Sequence, residues 1–209
     1  MLKHIVAAIT SLFIYGSHPF PASSIQPLQL ISEDKANRTI CTAFSINEEK
    51  GFWATAGHCV VFWTFPEDGK GDPTLNFRDI GIHDIEVEPV FVDVPGDVAV
   101  VQSVFHAPTI PLGEQPVIDL NKDLPEVTLY GYMFGQDPTI FKGRIANLHL
   151  VLQVPYMVFD SHCGGGHSGS PVLDKHNEVI SILQIQVVGG FCGGAPYETM
   201  SKLKPYWGD

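Results

Sequence analysis

Short apolar runs separated by turn residues recur along the chain, and few segments repeat apolar positions with the 3.6-residue period of a helix. The first group of runs is Cys41–Ile46, Gly51–Ala56, Val60–Phe65, Ile85–Val92 and Asp97–Val104. The second group is Val127–Tyr132, Lys142–Val154, Val158–Ser161, Ser170–Leu173 and Val179–Val188. One segment, Tyr197–Lys204, has the spacing of a short terminal helix. The pattern predicts an all-β protein built from many short strands.

A proline-rich stretch over residues 106–126 separates the two groups of runs. It has little periodicity, so it is typical of a connector. We therefore expect an N-terminal β-barrel or sandwich over residues 25–112, a connector over 113–126 and a C-terminal β unit over 127–209. Gly and Pro support this organisation, because 20 Gly and 16 Pro are spread along all 209 residues and provide many turns.

The charge balance excludes one class of partner. The formal net charge is −11, which repels phosphate backbones, so we expect no binding to nucleic acid.

The first 22 residues resemble a secretory signal peptide. Lys3 and His4 precede an apolar run over residues 5–15, and small residues follow it. The alternative is an uncleaved membrane anchor through residues 5–15. We expect a secreted or periplasmic protein with no stable membrane association once residues 1–22 are removed.

A glycine-rich segment provides a candidate nucleophile. Residues 163–171 have the sequence CGGGHSGSP, with Ser168 between glycines on both sides. Glycines permit tight turns in which two backbone N–H groups point at one oxygen and stabilise developing negative charge. The alternatives are a plain glycine-rich loop and the G-x-S-x-G elbow of α/β-hydrolases. The elbow fits poorly, because Ser170 replaces its second glycine. Its base would also have to follow the nucleophile, and only His176, in the turn-like segment DKHN, does so.

A candidate base lies upstream, in the segment TAGHC that contains His58. TAGHC and the later GxSGxP resemble, in this order, the two motifs that carry the base and the nucleophile of the chymotrypsin/trypsin family. The resemblance covers about residues 38–200 and is sharpest at the catalytic motifs. It implies two six-stranded antiparallel β-barrels with the active site between them and a short C-terminal helix. It also implies His58 as base, Ser168 as nucleophile, and the N–H groups of Gly166 and Ser168 as the oxyanion hole.

The acid of the triad is expected at the start of an apolar strand between these motifs. Asp97 opens the run DVAVV, which resembles the family pattern at this point. Asp84 and Asp93 are poorer candidates, because neither opens such a run. The resemblance therefore implies that Asp97 orients His58.

The four cysteines fit the same resemblance, which implies the disulfides Cys41–Cys59 and Cys163–Cys192. Two such bonds and a signal peptide indicate an oxidising compartment. A zinc site formed by His162, Cys163, His167 and Cys192 is the alternative. We expect neither a metal nor another cofactor, because the cysteines already have partners and a metal at His167 would crowd the nucleophile.

The chain departs from the digestive members of the family. Those members have Asp immediately before the nucleophile, paired with a newly cleaved N-terminus, whereas this chain has His167. The segment GSPVLDKHNEVISI is similar to bacterial glutamyl endopeptidases and high-temperature-requirement proteases. By alignment from Cys163, the resemblance places Ser161, His162, Gln186 and Val188 in the specificity pocket. An uncharged pocket predicts an uncharged residue before the cleaved bond.

These observations predict a secreted, monomeric serine endopeptidase that acts on protein or peptide substrates through an acyl-enzyme. Two alternatives stay open: a viral or phage-encoded processing protease of the same fold, and a catalytically inactive binding member.

Overall fold

The computed structural model of the chain describes residues 21–31, 38–67, 69–117, 123–133, 138–151, 154–187 and 191–208. Two β units follow one another along these residues. The strands of the first unit are β1 Ile25–Leu30, β2 Arg38–Asn47, β3 Phe52–Ala56, β4 Val61–Thr64, β5 Thr74–Phe77, β6 Ile80–Ile82, β7 Ile85–Glu86, β8 Glu88–Asp93 and β9 Val98–Gln102. The strands of the second are β10 Glu126–Tyr132, β11 Pro138–Val151, β12 Val154–Phe159, β13 Pro171–Leu173, β14 Val179–Val187 and β15 Phe191–Gly194. Helix α1, Tyr197–Met200, continues into a 3-10 helix over Ser201–Tyr206.

The second unit is a closed six-stranded barrel with the strand order β10-β11-β12-β15-β14-β13. Its strand pairs are antiparallel. In β10, Val127 and Leu129 are buried and alternate with more exposed neighbours, as expected for a strand with one face in the core. The all-β class, this barrel and the short C-terminal helix are confirmed.

The first unit differs in detail from a closed six-stranded barrel. Its described residues form a seven-stranded sheet in the order β7-β6-β1-β2-β3-β9-β8, and β4 and β5 pair only with each other. Strands β1, β5, β6 and β15 were not predicted from the sequence, because they are short and interrupted by glycine, proline or polar residues. The predicted run Lys142–Val154 contains the end of β11 and the start of β12, which pair as a hairpin.

Strand β9 explains why a continuous apolar run follows Asp97. Ala99 and Val101 pack in the core of the first unit. Val98 and Val100 point the other way, into a second cluster that also contains Ile182 of β14. Because both faces of β9 are buried, the strand lacks polar alternation. The second cluster therefore joins the two units.

The C-terminal segment closes the same interface. Met200 and Leu203 are fully buried in the cluster between the units. The ring of Trp207 lies 6.0 Å from that of Phe44 on β2, and the Gly208 N–H donates to the carbonyl of Ile46. In the part of the chain that the structure describes, no helix has the length and apolar character needed to cross a membrane. The predicted signal peptide lies outside the described residues, except for Pro21 and Ala22.

Candidate active site

His58 lies in a 3-10 turn, Gly57–Cys59, immediately after β3. Asp97 directly precedes β9, the strand that pairs with β3, so sheet pairing brings the two residues together. The Asp97 carboxylate accepts the backbone N–H of His58 at 2.7 Å through Oδ1. Its Oδ2 lies 2.9 Å from His58 Nδ1. The first contact holds the backbone of His58, and the second holds its imidazole ring.

The contacts of Asp97 determine the tautomer of His58. An ionised carboxylate only accepts hydrogen bonds, so Nδ1 carries the proton. Nε2 is then left with its lone pair, which is the form required of a general base. The side chain of His58 is about half exposed, at 47%, so Nε2 is accessible to a substrate.

Asp97 adopts a backbone conformation that is rare for a residue with a side chain, with φ at 51°. Such a conformation costs about 1–3 kcal/mol and persists where surrounding contacts enforce it. One such contact comes from the second unit. The buried side chain of Gln184 on β14 donates through Nε2 to the carbonyls of Gly96, at 2.6 Å, and Asp97, at 2.9 Å. Sequence analysis expected Gln184 only in the wall of the specificity pocket and did not predict this contact, because only the tertiary structure brings its side chain to Asp97.

Two consecutive turns share His167, and Ser168 lies in the second of them. The His167 N–H donates to the Gly164 carbonyl, and the Ser170 N–H donates to the His167 carbonyl. The third position of each turn is a glycine with positive φ: 93° at Gly166 and 85° at Gly169. A type II turn requires that conformation at its third position, which explains glycine at both sites.

Residues 164–170 carry the candidate nucleophile Ser168 and are called the nucleophile loop. This loop is fixed on the first unit through Thr42 of β2. The Thr42 N–H donates to the Ser168 carbonyl at 2.8 Å, and the Thr42 hydroxyl donates to the Gly166 carbonyl at 2.9 Å. A Cβ on Gly169 would lie 2.1 Å from the Thr42 carbonyl oxygen. The glycine is therefore needed for the close approach of the two backbones as well as for its turn.

The N–H groups of Gly166 and Ser168 donate no hydrogen bond within the described residues. Two free backbone donors on one tight loop can bind an oxyanion. The Ser168 hydroxyl lies 3.5 Å from the Gln184 carbonyl oxygen, and among the described residues it makes no hydrogen bond to His58. Catalytic hydrogen bonds of substrate-free enzymes often form only when the substrate binds.

A cavity of about 160 Å³ opens beside Ser168. It is lined by Cys163, Gly164, Gly165, Ser168, Leu183, Gln184, Ile185 and Gln186. Gln186 was expected there. Ser161 is buried near the Cys163–Cys192 bond, His162 is exposed, and neither lines this cavity. Val188 lies outside the described residues.

Both disulfide bonds of the expected pairing are present, with Cα–Cα distances of 6.1 Å for Cys41–Cys59 and 6.0 Å for Cys163–Cys192. Ligand atoms of Cys41, His58 and Cys59 lie within 4.8 Å of one another, but both sulfur atoms belong to a disulfide. The sulfur atoms of Cys163 and Cys192 are likewise bonded to each other. The cysteines therefore provide no thiolate for the alternative zinc site.

One tyrosine of the second unit lies within electrostatic range of Asp97. The pKa of the Tyr156 phenol is raised, first by burial and second by the negative charge of Asp97. The phenol therefore stays protonated and can donate a hydrogen bond near the site.

Comparisons with known proteins agree with this geometry. Residues 41–182, more than half of the chain, match the family model of the trypsin-like peptidase domain. No curated protein matches the sequence significantly. Two solved structures share the fold. The serine endoprotease of Yersinia pestis is 18% identical with a TM-score of 0.64, over 88% of this chain and 62% of that chain. The active form of the Rv3671c protease of M. tuberculosis is 17% identical with a TM-score of 0.65, over 89% of this chain and 81% of that chain. This chain thus covers less than two thirds of the Yersinia protein, and identities this low show the fold alone.

Proposed function

The chain belongs to the trypsin-like peptidase family, and from that premise we propose that it is a serine endopeptidase with the triad Ser168, His58 and Asp97. The observation that carries the proposal is the double contact of Asp97 with His58. It leaves Nε2 of His58 as the only basic ring atom, and this nitrogen faces no competing carboxylate among the described contacts.

In the proposed reaction, Ser168 Oγ attacks the carbonyl carbon of the scissile peptide bond while His58 Nε2 takes the hydroxyl proton. The carbonyl oxygen becomes an oxyanion, which the N–H groups of Gly166 and Ser168 bind. His58 then donates the proton to the leaving nitrogen, the C–N bond breaks, and an acyl-enzyme forms. Water, deprotonated by His58, then attacks the acyl carbon. The bond from that carbon to Ser168 Oγ breaks, His58 returns the proton to Oγ, and the carboxylic acid product leaves.

We further propose that the residue before the cleaved bond is uncharged. Neither an acidic nor a basic side chain is among the residues that line the cavity beside Ser168, and Leu183 and Ile185 contribute to its wall. A charged residue would lose its hydration there without gaining an ion pair. Peptides that differ only in having Leu, Phe, Arg or Glu at that position test this through the ratio of their kcat/KM values. A clear preference for Arg or Glu would refute the pocket assignment while leaving the peptidase assignment intact.

The proposed compartment is secreted or periplasmic. The support comes from the two disulfide bonds, which persist in oxidising environments. Mass spectrometry of the exported protein under non-reducing conditions should find no alkylatable thiol.

Labelling with a fluorophosphonate probe tests the proposed nucleophile. We expect one probe per chain on Ser168, and no labelling after Ser168→Ala or His58→Ala. Ser201→Ala on the C-terminal 3-10 helix is the matched control and should be labelled like the wild type. If the folded wild-type protein is not labelled, the chain is a binding member of the family.

A further inference from the structure

We infer that His167 is a positioning residue for the oxyanion hole: its imidazole accepts the Gly164 N–H and so fixes the turn that presents the N–H groups of Gly166 and Ser168. The inference rests on the proposed function, because the oxyanion hole matters only if Ser168 is the nucleophile. It assigns a role to a buried histidine that takes no part in the triad.

His167 joins the two turns of the nucleophile loop through three contacts. Its N–H closes the turn that contains Gly166, and its carbonyl closes the turn that contains Ser168 and Gly169. In addition, its Nδ1 lies 3.1 Å from the Gly164 nitrogen. Both the carbonyl and the N–H of Gly164 are thus bonded to His167, and the Gly165–Gly166 peptide lies between these bonds. Rotation of that peptide would move the Gly166 N–H away from the oxyanion.

The hydrogen bonds also determine the tautomer of His167. The Gly164 N–H can only donate, so Nδ1 must be the unprotonated acceptor. Nε2 therefore carries the proton and donates to the Thr139 hydroxyl, at 2.7 Å. Thr139 in turn donates to the Gly131 carbonyl, at 3.0 Å. This chain of bonds runs in one direction, from Gly164 through the imidazole to the backbone of β10.

Packing leaves the imidazole ring little freedom to turn. His167 is 2% exposed. The ring of Phe141 on β11 meets it edge-on, with centroids 5.3 Å apart and an interplanar angle of 80°. On the β10 side, a Cβ on Gly131 would lie 3.1 Å from the imidazole Cδ2. The ring therefore stays aligned with both of its hydrogen-bond partners.

Burial lowers the pKa of His167, which keeps the imidazole neutral near neutral pH. The groups packed against the ring are Gly131, Thr139, Phe141 and Gly164, and none of them is charged. A titratable side chain, His162, lies on the Phe141 side, where its ring stacks beside that of Phe141 with centroids 6.4 Å apart. A protonated Nδ1 could no longer accept the Gly164 N–H, so the neutral form is the one that holds the turn.

Variants of His167 test which of its contacts positions the loop. Asn places an amide oxygen near the position of Nδ1, whereas Gln places its amide near the position of Nε2. We therefore expect His167→Asn to retain most activity, because it can still accept the Gly164 N–H. We expect His167→Gln and His167→Ala to lose about 100-fold in kcat, the effect of misplacing one oxyanion donor, with KM changed less than about threefold. Thr139→Ser should retain kcat and Thr139→Val should reduce it, because only serine keeps the hydroxyl that accepts from Nε2.

Two results would overturn the inference. One is a kcat of His167→Ala within about twofold of wild type, and the other is a larger loss in His167→Asn than in His167→Gln. Urea unfolding of each variant separates positioning from instability, since a merely structural role lowers stability without the rank order in kcat.

A measurement that needs no turnover separates this inference from the proposed function. In ¹⁵N-labelled wild-type protein we expect His167 Nδ1 to have the shift of an unprotonated acceptor and Nε2 that of a protonated nitrogen. We also expect slow hydrogen exchange of the Gly164 amide, and faster exchange in His167→Ala. If these signatures are present and the wild type hydrolyses no ester, the proposed function fails and the hydrogen-bond arrangement stands. If Nδ1 is protonated in the active enzyme, the inference fails and the proposed function stands.

Discussion

Gln184→Leu tests whether the contact between the two units positions Asp97, the proposed acid of the triad. Nε2 of this buried side chain donates to the carbonyls of Gly96 and Asp97, immediately before β9. Leucine keeps most of the side-chain volume and removes both hydrogen bonds. The backbone carbonyl of Gln184, which lies beside Ser168 Oγ, is retained.

The magnitude follows from the two lost bonds. Each neutral hydrogen bond contributes about 0.5–1.5 kcal/mol net, so the pair contributes about 1–3 kcal/mol. The same free energy helps to hold Asp97 at its positive φ, where its carboxylate meets both His58 donors. Since about 1.4 kcal/mol is a factor of ten in rate, kcat should fall about fivefold to 150-fold if this energy orients Asp97.

The assay measures kcat and KM for a p-nitrophenyl ester, together with the free energy of unfolding in urea. Gln102→Leu is the matched control, because its Nε2 also donates to a backbone carbonyl, that of Lys50 at 3.0 Å, but at the exposed C-terminal end of β9. We expect the control to retain wild-type kcat. If Gln184→Leu unfolds more easily but its kcat equals that of the wild type, the contact stabilises the interface and does not position Asp97.

Three further predictions concern the same loop and triad. Asp97→Asn should lower kcat about 10⁴-fold. The amide oxygen of the new Asn stays on the His58 backbone N–H, while its NH₂ group meets Nδ1 and so moves the ring proton to Nε2. Ester hydrolysis checks this, and a loss under tenfold would contradict it. Stability should fall as the pH is lowered, because unfolded His167 takes up a proton near pH 6.5 while the folded pKa is lower. The contribution of His167 to the free energy of unfolding is therefore complete above pH 6.5 and is lost as the pH falls through the pKa of the folded imidazole. Urea midpoints measured from pH 4 to 8 should therefore depend on pH less steeply in His167→Asn than in the wild type. Gly169→Ala should keep the Ser168 loop from packing against β2, because the new Cβ would lie 2.1 Å from the Thr42 carbonyl oxygen at a φ of 85°. Circular dichroism and probe labelling check this. Wild-type labelling would refute the proposed backbone packing.

The sequence by itself determined the all-β class, because short apolar runs without a helical period and dense turn residues are local features. The order of TAGHC, DVAVV and GHSGSP along the chain identified the family, and the fold is now confirmed. The residues of the proposed triad could be named for the same reason, since each lies in a short motif. The sequence did not resolve short strands such as Thr74–Phe77, nor did it show that the first sheet stays open within the described residues.

Tertiary structure alone decided the contacts that hold the site in place. Gln184 meets Asp97, and Thr42 meets Gly166 and Ser168, across sequence separations that no local pattern encodes. His167 could be seen in the sequence only as an unusual residue beside the nucleophile. The role of His167 follows from hydrogen-bond direction, because a backbone N–H at Nδ1 and a hydroxyl at Nε2 fix one tautomer. Those partners come together only when β10, β11 and the nucleophile loop pack against one another.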